Sequence, residues 1–367
     1  MQRRTFLQFA AANAALIVLP STTTYGKSLS WANYNKAIVI DGLSGIFSGK
    51  TETLTASQLA TIKNSGITAI NATVPYPGMN FEQTKKRIEL TKRVVSKYPS
   101  ALSLITSTDD ILVAKKEKQV GVILGFQSTE MFADDLTRIK YFADNGVRYM
   151  QMTYNNKSQF GDGGLVKRNN GLTTLGINAL AEIEANKVLV DLSHSGQQTV
   201  ADAVAASTRP LTISHTGCNS IYRHPRNNDD QELRAVANKG GVVGIYLMPF
   251  LEGGNGVITA ESVMKHLDYA INLCGEDHVA IGSDQGVIPV KDGPKYREMI
   301  RKDVEIRMAK GISAPGETPN RPPFVPELNS ERRMELIAFH MQKRGHSSST
   351  IEKVLGLNLF NLYKQVW

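Results

Sequence analysis

The sequence predicts an α/β fold of the (β/α)8, TIM-type barrel class. Three observations support this prediction. The chain has 367 residues, a length that α/β barrels commonly use for a single domain. Eight near-continuous apolar runs have the character of parallel strands that are buried on both faces. Stretches with helical periodicity separate these runs, which indicates repeated βαβ crossovers and closure into a barrel.

The predicted strands are short runs rich in valine, isoleucine and leucine. They are expected at residues 37–41, 67–74, 119–126, 147–153, 188–194, 211–215, 241–248 and 278–284. A shorter run at 101–106 is expected to lie outside the barrel. Helices are expected at 56–64, 81–97, 132–145, 175–186, 198–207, 229–239 and 260–274. An open doubly wound sheet is the alternative, but no Gly-rich nucleotide-binding turn follows the first strand.

Three segments outside this alternation complete the domain organisation. Residues 1–26 resemble a twin-arginine export signal, because Arg3 and Arg4 precede an apolar stretch of roughly 15 residues, too short to span a bilayer. Residues 290–327 contain six prolines and are expected to form a long ordered loop or lid over the barrel mouth. Residues 329–367 are expected to form a helical extension on the outside. The mature chain, 27–367, is therefore predicted to be one barrel domain.

Composition argues against some classes of function. The net charge is +8, but the basic residues are scattered and form no dense block interleaved with aromatic residues. We therefore expect no nucleic-acid partner. The export signal predicts a periplasmic or otherwise exported protein, without stable membrane insertion after signal cleavage.

Three of the predicted strands end in side chains that can bind a metal ion. They are His194, His215 and Asp284. The carboxyl ends of barrel strands meet at one rim, so these side chains are expected to converge there. Two imidazoles and a carboxylate, with a water molecule in the fourth position, are a typical ligand set of catalytic zinc. The sequence therefore predicts a metal-assisted hydrolase.

Four motifs, in this order and spacing, resemble the renal (membrane) dipeptidase family of zinc peptidases. They are Asp191-Leu192-Ser193-His194, Ile213-Ser214-His215, His224-Pro225-Arg226-Asn227 and Ile281-Gly282-Ser283-Asp284. The resemblance implies a barrel hydrolase that cleaves dipeptides, in which His194 and His215 bind zinc. It further implies that Arg226 binds the substrate carboxylate and that Asp284 handles the catalytic proton. Analogy with the family also suggests a homodimer.

The sequence departs from the family pattern at the second zinc ion. The family has a His-x-Asp pair on the first strand, where this chain has Leu43-Ser44-Gly45. Gln127 replaces a bridging glutamate, and Tyr154 replaces a further histidine. These replacements, together with Gly161-Asp162-Gly163, resemble a bacterial branch of the same family. We therefore expect one zinc ion instead of two, bound by His194, His215 and Asp284.

The leading hypothesis is an exported metal-dependent hydrolase of dipeptides or similar small amides. Asp284 and Tyr154 are its predicted catalytic residues, and the predicted substrate-binding residues are Arg226, Asn227, Asn155 and Gln127. A non-catalytic barrel that binds a small molecule or peptide, and has lost its binuclear metal site, is one alternative. A hydrolase or lyase that uses Tyr154 and Asp284 as acid and base without metal is another.

Overall fold

The computed structural model of the protein describes residues 30–46, 52–253 and 256–367. The predicted export signal lies outside the described residues. The strands are β1 (Ile40–Gly45), β2 (Ala69–Thr73), β3 (Leu102–Ile105), β4 (Val120–Phe126), β5 (Val147–Gln151), β6 (Leu189–Asp191), β7 (Thr212–Thr216), β8 (Val242–Ile245), β9 (Val279–Ile281) and β10 (Gln285–Gly286).

Helices follow most strands and cover the outside of the sheet. They are α1 (Ala56–Asn64), α2 (Phe81–Lys97), α3 (Thr108–Glu117), α4 (Thr137–Asp144), α5 (Thr174–Ala185), α6 (Gln197–Ala206), α7 (Asp230–Asn238), α8 (Ala260–Cys274), α9 (Pro294–Ala309), α10 (Arg333–Lys343), α11 (Ser348–Glu352) and α12 (Asn358–Val366). Within the described part of the chain, no helix combines the length and the apolar character needed to cross a bilayer.

The sheet closes into a barrel. Its strands follow one another in the order β1, β2, β4, β5, β6, β7, β8, β9, and every pairing is parallel. β10 continues from β9 after three residues and pairs with β1, where Ser44 is the partner of Gln285. β3 lies off this path and pairs only with β4, as the sequence predicts. The prediction of a (β/α)8 barrel is confirmed.

The C-terminal helix α12 packs beneath the barrel instead of on its outer surface, which corrects our expectation for this last part of residues 329–367. Its apolar residues join a core cluster with Ala69, Leu189 and Val242, the first residues of β2, β6 and β8. The Tyr363 hydroxyl lies 3.1 Å from that of Tyr149 on β5. Helix α12 therefore fills the amino-terminal mouth of the barrel and leaves the carboxyl-terminal rim for chemistry.

Residues 290–327, which we call the lid, are not a loop throughout. The first half of the lid is helix α9, which begins with Pro294 at its first position. Proline suits that position because its missing N–H has no partner within the helix. The prediction of a long loop is therefore corrected, while the prolines after residue 314 do coincide with irregular backbone.

Candidate active site

A cavity of about 210 Å³ lies at the carboxyl ends of the strands, beneath the lid. Its inner end is polar and is formed by Gln127, Tyr154, His194, Arg226 and Asp284. The rest of its wall combines apolar side chains with charged ones. The apolar residues are Met248, Pro249, Phe250, Ile300, Val304 and Pro323, and the charged residues are Asp303, Arg307, Glu317 and Arg321. Ile300 and Val304 belong to α9, so the lid helix forms part of the wall. Side chains from Gln127 to Pro323 therefore line one cavity, at the rim where TIM barrels have their active sites.

His194 and Asp284 both have left-handed backbone conformations. Their φ angles are +64° and +56° respectively. This region costs a non-glycine residue about 1 kcal/mol, and His and Asp are among the residues found there more often than most. Two residues that the sequence places in the site are therefore held in a conformation that local preference does not favour. Such strain is concentrated at functional sites.

The proton of the His194 ring is fixed by Asn155. The Asn155 Nδ2 group donates to the carbonyl oxygen of Ile312 at 2.8 Å, so its Oδ1 atom faces the ring. His194 Nδ1 lies 2.6 Å from that Oδ1. Because Oδ1 can only accept, the imidazole proton must reside on Nδ1. The Nε2 atom of His194 therefore carries a lone pair.

His215 is fixed in the same tautomer by a buried carboxylate. Ser214 donates its hydroxyl proton to Asp191 Oδ2 at 2.5 Å. The same Ser214 oxygen lies 2.8 Å from His215 Nδ1 and accepts the ring proton. Asp191 also accepts from the backbone N–H groups of Ser193 and Ser214. This network between β6 and β7 is typical of the outer contacts that orient metal-binding histidines.

The two rings fit as nitrogen ligands of one divalent metal ion. Their centroids are 4.9 Å apart, and both Nε2 atoms are buried without a hydrogen-bond partner in the described part of the chain. Burial, assisted by the positive charge of Arg226, holds the pKa of both His194 and His215 well below the usual range. Both rings are therefore neutral at physiological pH, the form that binds metals. Such orphaned buried atoms are costly unless a ligand engages them.

The third predicted ligand does not join this pair. Among the residues that the structure describes, no group of three His, Cys, Asp or Glu side chains is arranged to hold a metal ion. Asp284 lines the same cavity as His194 but is not part of a common ligand set with the two histidines. The three-residue metal site therefore stays a prediction.

Two neutral side chains, Ser44 on β1 and Gln127 directly after β4, occupy positions where the family has charged metal ligands nearby. Ser44 donates its hydroxyl proton to the carbonyl oxygen of Gln285 at 2.7 Å. Gln127 donates its Nε2 proton to the Thr73 hydroxyl at 2.7 Å, and it lines the cavity as a neutral amide. Neither Ser44 nor Gln127 offers the carboxylate or imidazole that binds a second ion in the family pattern.

Asp284 is a carboxylate in a largely desolvated position. Burial raises its pKa to about 6, although the charges of Arg226 and Arg307 oppose this shift. The side chain is still in contact with the cavity. It is therefore ionised at neutral pH but close enough to its pKa to accept and return a proton.

Arg226 lies in the loop after β7 and is 4% exposed. Its backbone N–H donates to His224 Nδ1 at 3.1 Å, and the His224 Nε2 atom donates to the carbonyl oxygen of Pro315 in the lid at 2.7 Å. Its guanidinium has no carboxylate partner among the described residues and faces the cavity. Asp284 is near enough for Arg226 to affect its pKa, but the two side chains form no direct ion pair. The buried guanidinium is therefore suited to bind an anionic group of a ligand.

Tyr154 covers one face of His194. The two rings stack with centroids 4.3 Å apart and an interplanar angle of 24°. Arg307 of α9 donates to the Tyr154 hydroxyl at 3.2 Å. The loop that follows packs against this region so closely that a Cβ atom on Gly163 would lie 2.0 Å from the Tyr154 carbonyl oxygen. Glycine is therefore required there, which explains part of the Gly-Asp-Gly motif.

Two predicted substrate-binding residues support the site without lining the cavity. Asn155 is occupied by His194 and Ile312. Asn227 donates to the carbonyl oxygens of Tyr222 and Phe250 and accepts from the Tyr246 hydroxyl. Both amides thus have protein partners, and their predicted role in substrate binding stays a prediction. Gln127, Tyr154 and Arg226 do line the cavity.

The sequence did not indicate two residues that the structure adds to the site. Arg307 comes from the lid, more than 150 residues after Tyr154, and no motif marks it. His224 was assigned no role from the sequence, yet it connects the Arg226 loop to the lid. Its place in the motif His224-Pro225-Arg226-Asn227 was the available signal.

Comparisons with known proteins agree with the predicted family. The profile of the membrane dipeptidase family, peptidase family M19, matches residues 50–305. An uncharacterised dipeptidase of Schizosaccharomyces pombe is 28% identical over 279 residues, covering 73% of this chain and 66% of that protein.

Solved structures share the fold. An amidohydrolase from Pseudomonas aeruginosa superposes with a TM-score of 0.79 at 27% identity, covering 91% of this chain and 98% of its own. A metallopeptidase from Rhodobacter sphaeroides, solved with a phosphinate mimic of the dipeptide L-Ala-D-Ala, gives a TM-score of 0.71 at 18% identity, covering 90% and 100% of the two chains. These matches confirm the predicted barrel and the predicted family. The chain belongs to the membrane dipeptidase family of metallopeptidases, peptidase family M19.

Proposed function

We propose that the protein is an exported hydrolase of dipeptides or similarly small amides that works with one zinc ion. The observation that carries this proposal is that one cavity contains two groups without a partner among the described residues. One is the buried guanidinium of Arg226, which forms no ion pair with these residues, and the other is the Nε2 atom of His194, which forms no hydrogen bond with them. Arg226 offers a site for a terminal carboxylate, and His194 Nε2, with His215 Nε2 behind it, offers a site for a metal ion. A cavity of about 210 Å³ suits a ligand of dipeptide size.

Each side chain has a role in this proposal. The Arg226 guanidinium binds the substrate carboxylate through its two-pronged geometry and so sets the position of the scissile bond. Asp284 accepts a proton from the attacking water and returns it to the leaving amine. The Tyr154 hydroxyl donates a hydrogen bond within the same cavity. A bound zinc ion would polarise the scissile carbonyl and lower the pKa of a bound water molecule.

A binding protein without catalytic activity is the second candidate. The absence of a three-residue ligand group among the described residues favours it. In that case the barrel would retain Arg226 as a carboxylate anchor and would bind small peptides without turning them over.

Metal content and turnover, measured on the same protein preparation, separate these functions. Protein purified from the periplasm is analysed for metal and assayed with dipeptides that contain L- or D-residues, each in free-acid and C-terminally amidated form. Zinc near one ion per chain, with hydrolysis of the free acids only, is the expected result. Saturable binding without metal or turnover would favour the binding protein. Turnover that persists in a chelator would point to the metal-free acid–base alternative.

A further inference from the structure

The lid contacts His194 indirectly, through two routes that both begin at Arg307. Arg307 donates through Nη2 to the carbonyl oxygen of Ile312 at 3.4 Å and through Nη1 to the Tyr154 hydroxyl at 3.2 Å. A bidentate ion pair with Glu317 at 2.9 and 3.0 Å fixes the plane of its guanidinium. This ion pair is largely buried, with the two side chains 22% and 13% exposed.

The first route passes through an amide. The carbonyl oxygen of Ile312 accepts both from Arg307 and from Asn155 Nδ2. Since a carbonyl oxygen cannot donate, it requires the NH2 end of Asn155 to face the lid. The Oδ1 end then faces His194 Nδ1. If the amide turned over, its NH2 group would face Nδ1 and would favour the tautomer that carries the proton on Nε2.

The second route passes through an aromatic ring. Tyr154 is stacked on the face of His194, and Arg307 holds its hydroxyl. The stacking partner restricts the rotation of the imidazole, while the amide sets its proton. Together the two routes bear on the orientation of the His194 ring and on whether its proton resides on Nδ1 or on Nε2.

We propose that Arg307 is a positioning residue that couples the seated lid to the reactive tautomer of His194. When the lid is seated, Arg307 orients Ile312, Asn155 and Tyr154 so that His194 Nε2 is bare. When the lid lifts, the amide and the ring lose these restraints. The inference rests on the proposed function only in treating His194 Nε2 as the atom that must be available.

Nitrogen NMR of the metal-free protein tests this inference without requiring turnover. In wild-type protein with ¹⁵N-labelled histidine, His194 should give one protonated nitrogen, Nδ1, and one bare nitrogen, Nε2. Its signals are assigned by their absence from a His194→Asn protein. Arg307→Met should convert this pattern to a mixture of tautomers. In the zinc-loaded enzyme it should lower kcat about 10- to 100-fold with little change in KM, the range found for residues that orient ligands.

A rescue variant addresses the possibility that Arg307→Met perturbs the fold. In the double variant Arg307→Met/Asn155→Asp, the carboxylate can only accept, so it should hold the proton on His194 Nδ1 without help from the lid. Recovery of the single-tautomer pattern would support the proposed route through residue 155. Persistence of the mixture in a folded double variant would overturn it.

Two control variants separate this coupling from a general loosening of the lid. Asn156→Ala removes a 3.1 Å hydrogen bond to Gly311 in the same lid segment but no contact to His194. Arg301→Met removes exposed ion pairs on the same helix. Both should retain the wild-type tautomer and kcat. The proposal is overturned if Arg307→Met behaves like wild type, or if Asn156→Ala produces the same mixture. A wild-type protein that hydrolyses no dipeptide refutes the proposed function, but the nitrogen spectra still decide the coupling.

Discussion

Two regions of the barrel rim differ in the hydrogen bonds that their site residues make. In the half near β6 and β7, which we call the histidine half, His194 and His215 use Nδ1 for the protein and leave Nε2 buried without a partner. In the half near β1 and β4, which we call the neutral half, Ser44 and Gln127 donate to protein acceptors. The difference teaches that the two histidines can bind a ligand through Nε2, whereas Ser44 and Gln127 each already donate to a protein acceptor.

Removing either histidine should have the largest effect. His194→Ala and His215→Ala should each abolish metal binding and lower kcat/KM by about 1000-fold or more, because the metal contribution of several kcal/mol is lost. Elemental analysis and steady-state kinetics on metal-reconstituted protein measure both effects. Full activity in both variants would contradict the proposal that the histidine half binds a metal ion.

Replacing Arg226 should have the next largest effect. Arg226→Met should raise KM about 100-fold for dipeptides with a free carboxylate, because a desolvated charge pair is lost. The C-terminally amidated dipeptide is the matched control, since wild type and variant should treat it alike. An equal loss on both substrates would mean that Arg226 supports the fold and does not bind the carboxylate.

Rebuilding the neutral half should produce a gain. A variant with Leu43→His, Gly45→Asp and Gln127→Glu should bind about two ions per chain instead of about one, because it restores carboxylate and imidazole ligands. Space is available at residue 45, where an added Cβ atom meets no atom within 4 Å. The double variant without Gln127→Glu is the control. Unchanged stoichiometry in a folded triple variant would show that residue type alone does not explain the difference.

The smallest expected effect concerns the pH dependence of stability in the metal-free protein. The folded state lowers the pKa of His215, so the unfolded state takes up its proton first as the pH falls below 6.5. The free energy of unfolding should therefore fall by about 2 kcal/mol for this residue between pH 7 and pH 5. His215→Gln should remove that loss, as measured by chemical denaturation at both pH values.

The contribution of Asp41, on β1 in the neutral half, to the free energy of unfolding should change with pH in the opposite direction. Burial raises its pKa to about 6, so the folded state takes up this proton first and gains stability as the pH falls toward 4. Asp41→Asn should thus steepen the loss of stability in acid. If His215→Gln and Asp41→Asn change the slope in the same direction, the assignment of the two contributions is wrong.

The barrel could be predicted because its signal is local and repeated. Apolar runs marked all eight barrel strands, and α1, α2 and α8 were predicted with their observed bounds. Strand β1 was expected at 37–41 but extends through Gly45, since Asp41, Gly42 and Ser44 interrupt its apolar pattern. Helix α3 was not predicted because only two of its residues, Ile111 and Ala114, are buried.

The candidate site could be predicted only in part. The histidines and Arg226 stand in motifs, whereas the contribution of Arg307 depends on where the lid lies in space. The partners of Asn155 and Asn227 likewise depend on tertiary contacts, and residue type alone made both look like ligand-binding amides. The orphaned Nε2 atoms are a property of packing, which the sequence does not express.

The left-handed backbone at residues 194 and 284 limits how this enzyme could be redesigned. A new ligating side chain at either position must tolerate a positive φ, which favours Asn, Asp and His. Glutamate or cysteine would add roughly 1 kcal/mol of conformational strain at each position. Attempts to change the metal preference should therefore start at Gln127, which directly follows β4 and does not have a positive φ.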